Sequence, residues 1–374
     1  MRRKSRSMFV GQVGMGGEHA VSIQSMANVP IGNVDGNVAQ ILQLCAGGCE
    51  IVRLAVPKPG DVSFFEKIKN KLRSQGVQVP LVADVHFSPK IAHECLKIAD
   101  KVRINAGNFA EKSGESFHGA QDFALERFAK FFQAAKEFGV PVRIGINGGS
   151  LAKRMLEKYG NTARGMWESA HECILAARTV GFHDLVLSFK ASDVGLMVAS
   201  YRLACVEMDN LGLGYPLHLG VTEAGNSHYA RTKSAIGIGS LLLDGIGDSI
   251  RVSLTENPLS EIQAARDILQ AVGVRRFSAE FIACPSCGRT SYDIQCVFEA
   301  VKEKIGRLEC ARSLRIAVMG CVVNGLGEAG EADYAIVGLP NGRVNIYGKN
   351  ICLAEGVEQS LAAETLERVI LGNT

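Results

Sequence analysis

Residues 50 to 85 read EIVRLAVPKPGDVSFFEKIKNKLRSQGVQVPLVADV, and the fold turns on how this stretch is parsed. Its two ends, EIVRLAV (50 to 56) and VPLVADV (79 to 85), are apolar runs rich in valine and isoleucine, the pattern of strands buried on both faces. Between them Val62, Phe65, Ile68 and Leu72 recur at three- and four-residue spacing, which puts them on one side of a helix. Strand, helix and strand in this order form a βα unit of a parallel sheet.

The same unit extends in both directions. HAVSIQS (19 to 25) precedes it, and KVRIN (101 to 105), VPVRIGI (140 to 146), HDLVLSF (183 to 189), PLHLGVT (216 to 222) and DSIRVSL (248 to 254) follow. Helical stripes separate them, as in Ala124, Phe128, Phe131 and Ala135. The last helix carries its own punctuation: Asn257 as cap, Pro258 at the first position, a stripe of Ile262, Ala265, Ile268 and Leu269, and Gly273 as the stop. Eight βα units in about 250 residues predict an α/β fold, a closed (β/α)8 TIM-type barrel over residues 1–272, with a doubly wound sheet as the alternative.

Beyond residue 273 the rhythm changes. A Cys-Pro-Ser-Cys run is followed by a helix with Ile294, Val297, Phe298, Val301 and Ile305 on one face, then by a strand LRIAVM (314 to 319). YAIVG and RVNIY flank LPNG, whose Asn341-Gly342 favours a hairpin turn, and a final helix is expected from about Val357 to Leu371. Residues 273–374 therefore read as a separate small α+β domain.

The 374 residues are 47% hydrophobic and 21% charged, enough apolar material for one large core and one smaller. A net charge of +3 without a concentrated basic face argues against nucleic acid as a partner. The start, MRRKSRSMFVGQVG, lacks the apolar segment of a signal peptide, and no apolar run is long enough for a membrane span, so a cytoplasmic protein without membrane association is expected. In that setting eleven cysteines are core fillers or metal ligands rather than a disulfide framework.

In a (β/α)8 barrel the active site lies at the C-terminal ends of the strands. Those positions here are Gln24 and Ser25, Arg53, Asp84 and His86, Arg103 and Asn105, Arg143 and Asn147, Ser188 and Lys190, Thr222 and Glu223, Arg251 and Ser253. Four arginines and a lysine converging on one mouth leave positive charge that an anionic substrate would neutralise. Guanidinium groups bind phosphate through paired hydrogen bonds, so a phosphate or diphosphate ester is the leading substrate class and a polycarboxylate the second. Some of these arginines could instead pair with Asp84, Glu223 or an outer helix. Asp84 and His86 fit either a carboxylate-oriented imidazole or half of a metal site, and Glu223 is a candidate proton donor or base.

Cys284 and Cys287 form a C-x-x-C pair that suits zinc, a redox dithiol or an iron-sulfur cluster. Among the later thiols Cys321 stands out. It follows a strand and opens GCVVNGLGEAG, whose glycines let the backbone fold around something bulky, whereas Cys296 lies off its helix stripe and Cys310 in a charged connection. No histidine follows His228 to complete a zinc finger, and three thiolates with a non-thiolate partner describe a cluster with one distinct iron. A non-redox barrel enzyme acting on a phosphorylated substrate, with a structural zinc module, remains the competing class.

FIACPSCGR and GCVVNGLGE, together with EIVRLAVP, LVADVHF, VRINAGN, VRIGINGGSL, FKASD, LHLGVTEAG, KSAIGIG and LLLDGIGDSIRVSL, in this order from about residue 9 to about 330, resemble the bacterial two-domain 4-hydroxy-3-methylbut-2-enyl diphosphate synthases (IspG, also called GcpE). The resemblance implies a TIM-type barrel followed by a sulfite-reductase-like domain with a [4Fe-4S] cluster on Cys284, Cys287, Cys321 and Glu328. It implies reduction of 2-C-methyl-D-erythritol 2,4-cyclodiphosphate, with ring opening and loss of water, in the methylerythritol phosphate route to isoprenoids, by electrons from reduced ferredoxin or flavodoxin. It further implies a diphosphate site of Arg53, Arg103, Arg143, Asn147, Lys190, Arg251 and Ser253, catalytic roles for Glu223 and Glu328, and a head-to-tail homodimer. The family's usual Asn-Gly-Pro-Gly-Glu reads Asn324-Gly325-Leu326-Gly327-Glu328 here, so the fixed φ of the proline is lost. Residues after about 330 match the family pattern poorly and carry no expected chemistry.

Overall fold

Eight parallel strands close on one another in the first part of the chain. The computed structural model describes residues 2–109, 117–322, 327, 329–349 and 351–372, so Glu328, Asn324 and Leu326 lie outside the described residues. The chain divides into two compact units, Met1–Arg275 and Arg276–Thr374.

In the first unit a small antiparallel hairpin, β1 (Met8–Val10) and β2 (Val13–Met15), turns at Gly11 with φ +55° and precedes the barrel. The barrel strands are β3 (Ser22–Met26), β4 (Ile51–Ala55), β5 (Leu81–Val85), β6 (Lys101–Asn105), β7 (Val142–Asn147), β8 (Leu185–Lys190), β9 (His218–Leu219) and β10 (Ser249–Ile250). Five fall within the runs read from the sequence, and β3, β7 and β8 each extend one residue past theirs. Neighbours pair in parallel from β3 to β8, while β10 joins β3 to β9, and a bridge between Leu187 and Leu217 brings β8 beside β9. The hairpin was not anticipated, because three-residue strands are too short to show a period. Its Met8, Val10 and Met15 cluster with Ile51, Val82 and Val186 into an apolar floor.

The helices form where stripe and cap coincide. Phe65, Ile68 and Leu72 of the helix Asp61–Ser74 are fully buried, each worth about 1.5–3 kcal/mol of transfer free energy. Ser88, Thr162, Asp193 and Asn257 each accept a backbone N–H at the start of their helices, and Pro258 takes the first position of Pro258–Ala271 as expected. Among the described residues no helix is long and apolar enough to cross a membrane.

The second unit is a five-stranded mixed sheet: β11 (Glu280–Ala283), β12 (Arg315–Met319) and β13 (Tyr334–Leu339) run parallel, then β14 (Arg343–Gly348) and β15 (Ile351–Glu358) alternate. Asn341 and Gly342 both take positive φ, 62° and 69°, at the turn the sequence marked. Helices Ile294–Ile305 and Ala362–Gly372 bury Val297, Val301, Ile305, Leu366 and Ile370 against Ile316, Ile336 and Ile346. Two differences from the sequence reading appear here. The apolar run before Cys284 is itself a strand, and residues 351–358 are an edge strand, so the last helix starts later than expected. That edge strand alternates exposed and half-buried residues, a weak signal beside the strong helical stripe that follows it.

An aromatic stack braces the barrel wall. Phe132 stands 6.1 Å from Phe128 and 5.6 Å from Phe182, centroid to centroid, and is fully buried. Phe132→Ala is expected to cost about 3–5 kcal/mol of stability in denaturant titration, with turnover per folded molecule unchanged.

Candidate active site

Alternation along the barrel strands aims every second side chain inward, and β4, β6, β7 and β8 bring basic residues to that side. Arg53, Arg103, Arg143 and Lys190 are 7%, 4%, 1% and 7% exposed, so their charges are held out of water. Arg103 Nη1 donates to Asp84 Oδ1 at 2.9 Å and also meets His86 Nε2. Arg53 Nε lies 3.6 Å from Asp84 Oδ2 and 3.2 Å from the Met26 sulfur. Asp84 is thus the hub of two guanidinium groups. Burial would raise its pKa, but Arg103 and Arg53 together hold it well below the usual carboxylate range.

His86 is drawn down to about 4, first by burial and then by Arg103, so its imidazole is neutral at pH 7 and accepts from the guanidinium. His86 Nε2 also lies 3.8 Å from Asp84 Oδ1, so Asp84, His86 and Arg103 form one group in which both partners hold the guanidinium. Arg53 is lowered to about 10 by burial, against the pull of Asp84, and stays charged at neutral pH. Arg251 pairs with Glu261 of the helix Pro258–Ala271, Nη2 to Oε1 at 3.0 Å, so this one arginine does pair with an outer helix. Glu261 also accepts from Ser25 Oγ and Leu254 N, which fixes it.

Arg143 and Lys190 have no carboxylate partner among the described residues. Burial and then the neighbouring arginines push the pKa values of both well below their ordinary ranges. An anion at the mouth would reverse that push. Asn147 and Ser253 are half-buried at strand ends, and Asn105 is occupied by Ser150 and by the backbone N–H groups of Gly107 and Asn108. Glu223, just past β9, is exposed and holds a left-handed φ of 54°, a conformation that costs a non-glycine residue roughly 1–2 kcal/mol.

Two glycines make room for these cations. A Cβ on Gly145 would stand 2.4 Å from Arg103 Nε, and one on Gly220 would stand 2.8 Å from Lys190 Nζ. Sequence reasoning missed Glu261, hidden in a helix, and Lys101, two residues before Arg103 and hence on the same side of β6. The alternation in KVRIN was the available signal for Lys101.

In the second unit the thiols gather where parallel strands end. Cys284 follows β11 and Cys321 lies two residues past β12, with Ala283 in register with Val318. Gly320 N–H donates to Cys284 Sγ at 3.1 Å, and a Cβ on Gly320 would meet Thr290 Oγ1 at 2.6 Å and Cys284 Sγ at 3.2 Å. Ser286, between the paired cysteines, takes φ +67° and tightens the loop. The backbone N–H and guanidinium of Arg289 pull the exposed Cys287 thiol below its usual pKa, and Arg289 also feels the charge of Cys321. Cys296 and Cys310 are exposed and stand apart from this group. No group of three or more His, Cys, Asp or Glu able to hold a single metal ion occurs among the described residues.

A family model described as the GcpE TIM-barrel domain matches residues 5–266, and one described as the GcpE protein C-terminal domain matches residues 280–371. The chain is 46% identical over 379 residues to the 4-hydroxy-3-methylbut-2-en-1-yl diphosphate synthase (ferredoxin) of Synechococcus sp. (strain CC9311), covering 99% of this chain and 94% of the relative. It is 47% identical over 359 residues to the protein of the same name from Synechocystis sp. (strain ATCC 27184 / PCC 6803 / Kazusa), covering 92% and 88%. Among solved structures, dihydropteroate synthase from Stenotrophomonas maltophilia aligns with a TM-score of 0.46 at 14% identity, covering 72% of this chain and 98% of that one.

Gly145→Ala is expected to displace the Arg103 guanidinium and raise KM for an anionic substrate about tenfold, with a smaller change in kcat, in steady-state assays.

Proposed function

The chain belongs to the GcpE family, and we propose from its cation-lined barrel and clustered thiols how it carries out that family's reaction. It is an oxidoreductase of isoprenoid synthesis that forms 4-hydroxy-3-methylbut-2-enyl diphosphate. Its substrate in this reading is 2-C-methyl-D-erythritol 2,4-cyclodiphosphate, which takes up two electrons, opens its ring and loses water. The observation that carries the reading is the pair of buried cations, Arg143 and Lys190, that no carboxylate among the described residues neutralises.

The diphosphate would lie among Arg53, Arg103, Arg143, Lys190 and Arg251, with Asn147 and Ser253 as hydrogen-bonding partners. Low exposure raises the worth of each contact, because little water competes for the phosphate oxygens. Asp84 and Glu261 set the directions of their arginines and so pre-orient the site. A hydroxyl leaves as water only if it is protonated, and Glu223 is the candidate donor. Its left-handed backbone supports that role, since glycine would be easier at this position and a carboxylate stands there instead.

Cys284, Cys287, Cys321 and Glu328 would hold a [4Fe-4S] cluster, which supplies the electrons singly from reduced ferredoxin or flavodoxin. The described residues fit such a group: three thiols at adjoining strand ends, a backbone N–H already aimed at one sulfur, and a cationic side chain beside the other two. The protein acts as a homodimer in this reading.

Anaerobically purified protein should be brown, contain iron and acid-labile sulfide, bleach with a reductant and convert the cyclic diphosphate. Cys321→Ser should lose colour and turnover, whereas Cys296→Ser should keep both. Equal loss from the two changes, or one zinc per chain without iron, would overturn the assignment. Glu223→Gly is expected to leave the melting temperature equal or higher while turnover falls at least about tenfold, a split that calorimetry and the same assay would detect.

A further inference from the structure

Around Arg143 the barrel interior holds further buried polar groups, Lys101, Gln24, His218 and Ser22, that the diphosphate reading leaves unused. Among the described residues Lys101, 0% exposed, has no hydrogen-bond partner for its Nζ, and the same holds for the atoms that follow. Gln24 is 1% exposed with both amide atoms unpartnered, Arg143 is 1% exposed with Nε and Nη1 unpartnered, and His218 is 0% exposed with Nε2 unpartnered. Ser22 Oγ is buried and unpartnered as well. Natural interiors rarely leave even one such atom without a partner, and each specific case asks for an explanation.

Strand register places these residues in neighbouring rows of the barrel interior, Lys101 in the row of Arg53 and Arg143 in the row of Arg103. Lys101 is level with Val82, Arg143 with Val186, and Gln24 with Ile51, the three barrel residues that pack on the hairpin floor. His218 is level with Ser249, and Ser249 with Ser22. Lys101, Arg143 and Gln24 therefore rest on an apolar plug. The charge of Arg143 is the strongest neighbouring charge on both Lys101 and His218, after burial itself, and lowers the proton affinity of each.

The carboxylates that reach the barrel's cations are already committed, Asp84 to Arg103 and Arg53, Glu261 to Arg251. Water could satisfy hydrogen bonds among these groups but would leave two adjacent cations uncompensated, which costs several kcal/mol in a buried site. A monoatomic anion compensates the charge and accepts N–H groups from several directions, without adding oxygens that need donors of their own. We propose that Lys101, Arg143, Gln24 and His218 form a buried site for a single halide-sized anion beneath the substrate mouth. The ion holds Arg143 from below and stabilises the barrel whether or not diphosphate is bound.

The test follows the melting of the intact, cluster-loaded protein by fluorescence of Trp167, a buried barrel residue, in sodium chloride and in sodium gluconate at equal ionic strength. Chloride, and bromide likewise, should raise the midpoint by roughly two to five degrees between 1 and 100 mM, while gluconate, too large to enter, should not. Lys101→Met should melt in gluconate at or above wild type and lose most of the chloride effect. An identical midpoint for wild type in both salts overturns the proposal, and so does a Lys101→Met variant that keeps the full chloride shift. If that variant does not fold, bromide soaked into wild-type crystals decides: an anomalous peak within hydrogen-bond distance of Lys101 Nζ supports the site, and its absence overturns it.

Discussion

Arg53, Lys101, Arg103, Arg143 and Lys190 share the barrel interior, none more than 7% exposed, and Arg251 joins them at the rim. Against them stand Asp84 and Glu261. Such an excess of buried positive charge works against folding, and much of the first unit is arranged to tolerate it. Asp84 serves two arginines at once, so one carboxylate offsets more charge than a simple pair would. Glu261 reaches in from a helix and is itself held by Ser25 and Leu254, which keeps it available to Arg251. The apolar floor of Met8, Val10, Met15, Ile51, Val82 and Val186 seals the opposite end. What remains uncompensated, at Arg143 and Lys190, is the part an anion completes. The charge imbalance that weakens the barrel is the same quantity that would bind the proposed diphosphate.

The second unit meets the opposite requirement. In the proposed reading its thiols must be within reach of a bulky group and an electron donor, and Cys284 and Cys321 are half-buried while Cys287 is exposed. They are brought together by a short stretch of parallel pairing, β11 beside β12, whose ends deliver two loops to one edge. The antiparallel strands and the two helices serve mainly to bury the rest of the sheet. Electrostatics is local here: Arg289 lies by Cys287 and Cys321, and the Gly320 N–H points at Cys284. At Cys287 the neighbouring Arg289 favours sulfur in its anionic state.

The barrel was legible because strands buried on both faces write themselves as continuous apolar runs, and all eight runs became strands. The basic rim residues were legible for the same reason: a charged residue inside such a run has nowhere to go but the interior or the mouth. Elements whose signal is short or divided were missed. The hairpin of β1 and β2 has three residues a side, and β15 alternates only weakly at a sheet edge. Glu261 could not be found from its own helix, where a carboxylate in the first turn reads as an ordinary dipole partner. Its role depends on the approach of Arg251, which only the closed barrel brings about. The neutral state of His86 is likewise a product of burial and of Arg103, neither visible in the dipeptide spacing.

Three glycines show how function overrides local preference. Gly145 lies within β7, Gly220 one residue past β9 and Gly320 one residue past β12. None has a positive φ, so the left-handed freedom of glycine does not explain their presence. A Cβ on Gly145 would take the space of the Arg103 guanidinium, one on Gly220 would meet the Arg251 backbone oxygen and the Lys190 ammonium, and one on Gly320 would meet Thr290 and the Cys284 thiol. A glycine in a strand weakens it by roughly 0.5–1 kcal/mol relative to alanine. The chain accepts that loss at the sites where charge or sulfur must come close to the backbone, and the same logic keeps Glu223 in a conformation that suits glycine better. Backbone without a side chain where a side chain would be easier, and a side chain where backbone alone would be easier, mark the same surface from two directions.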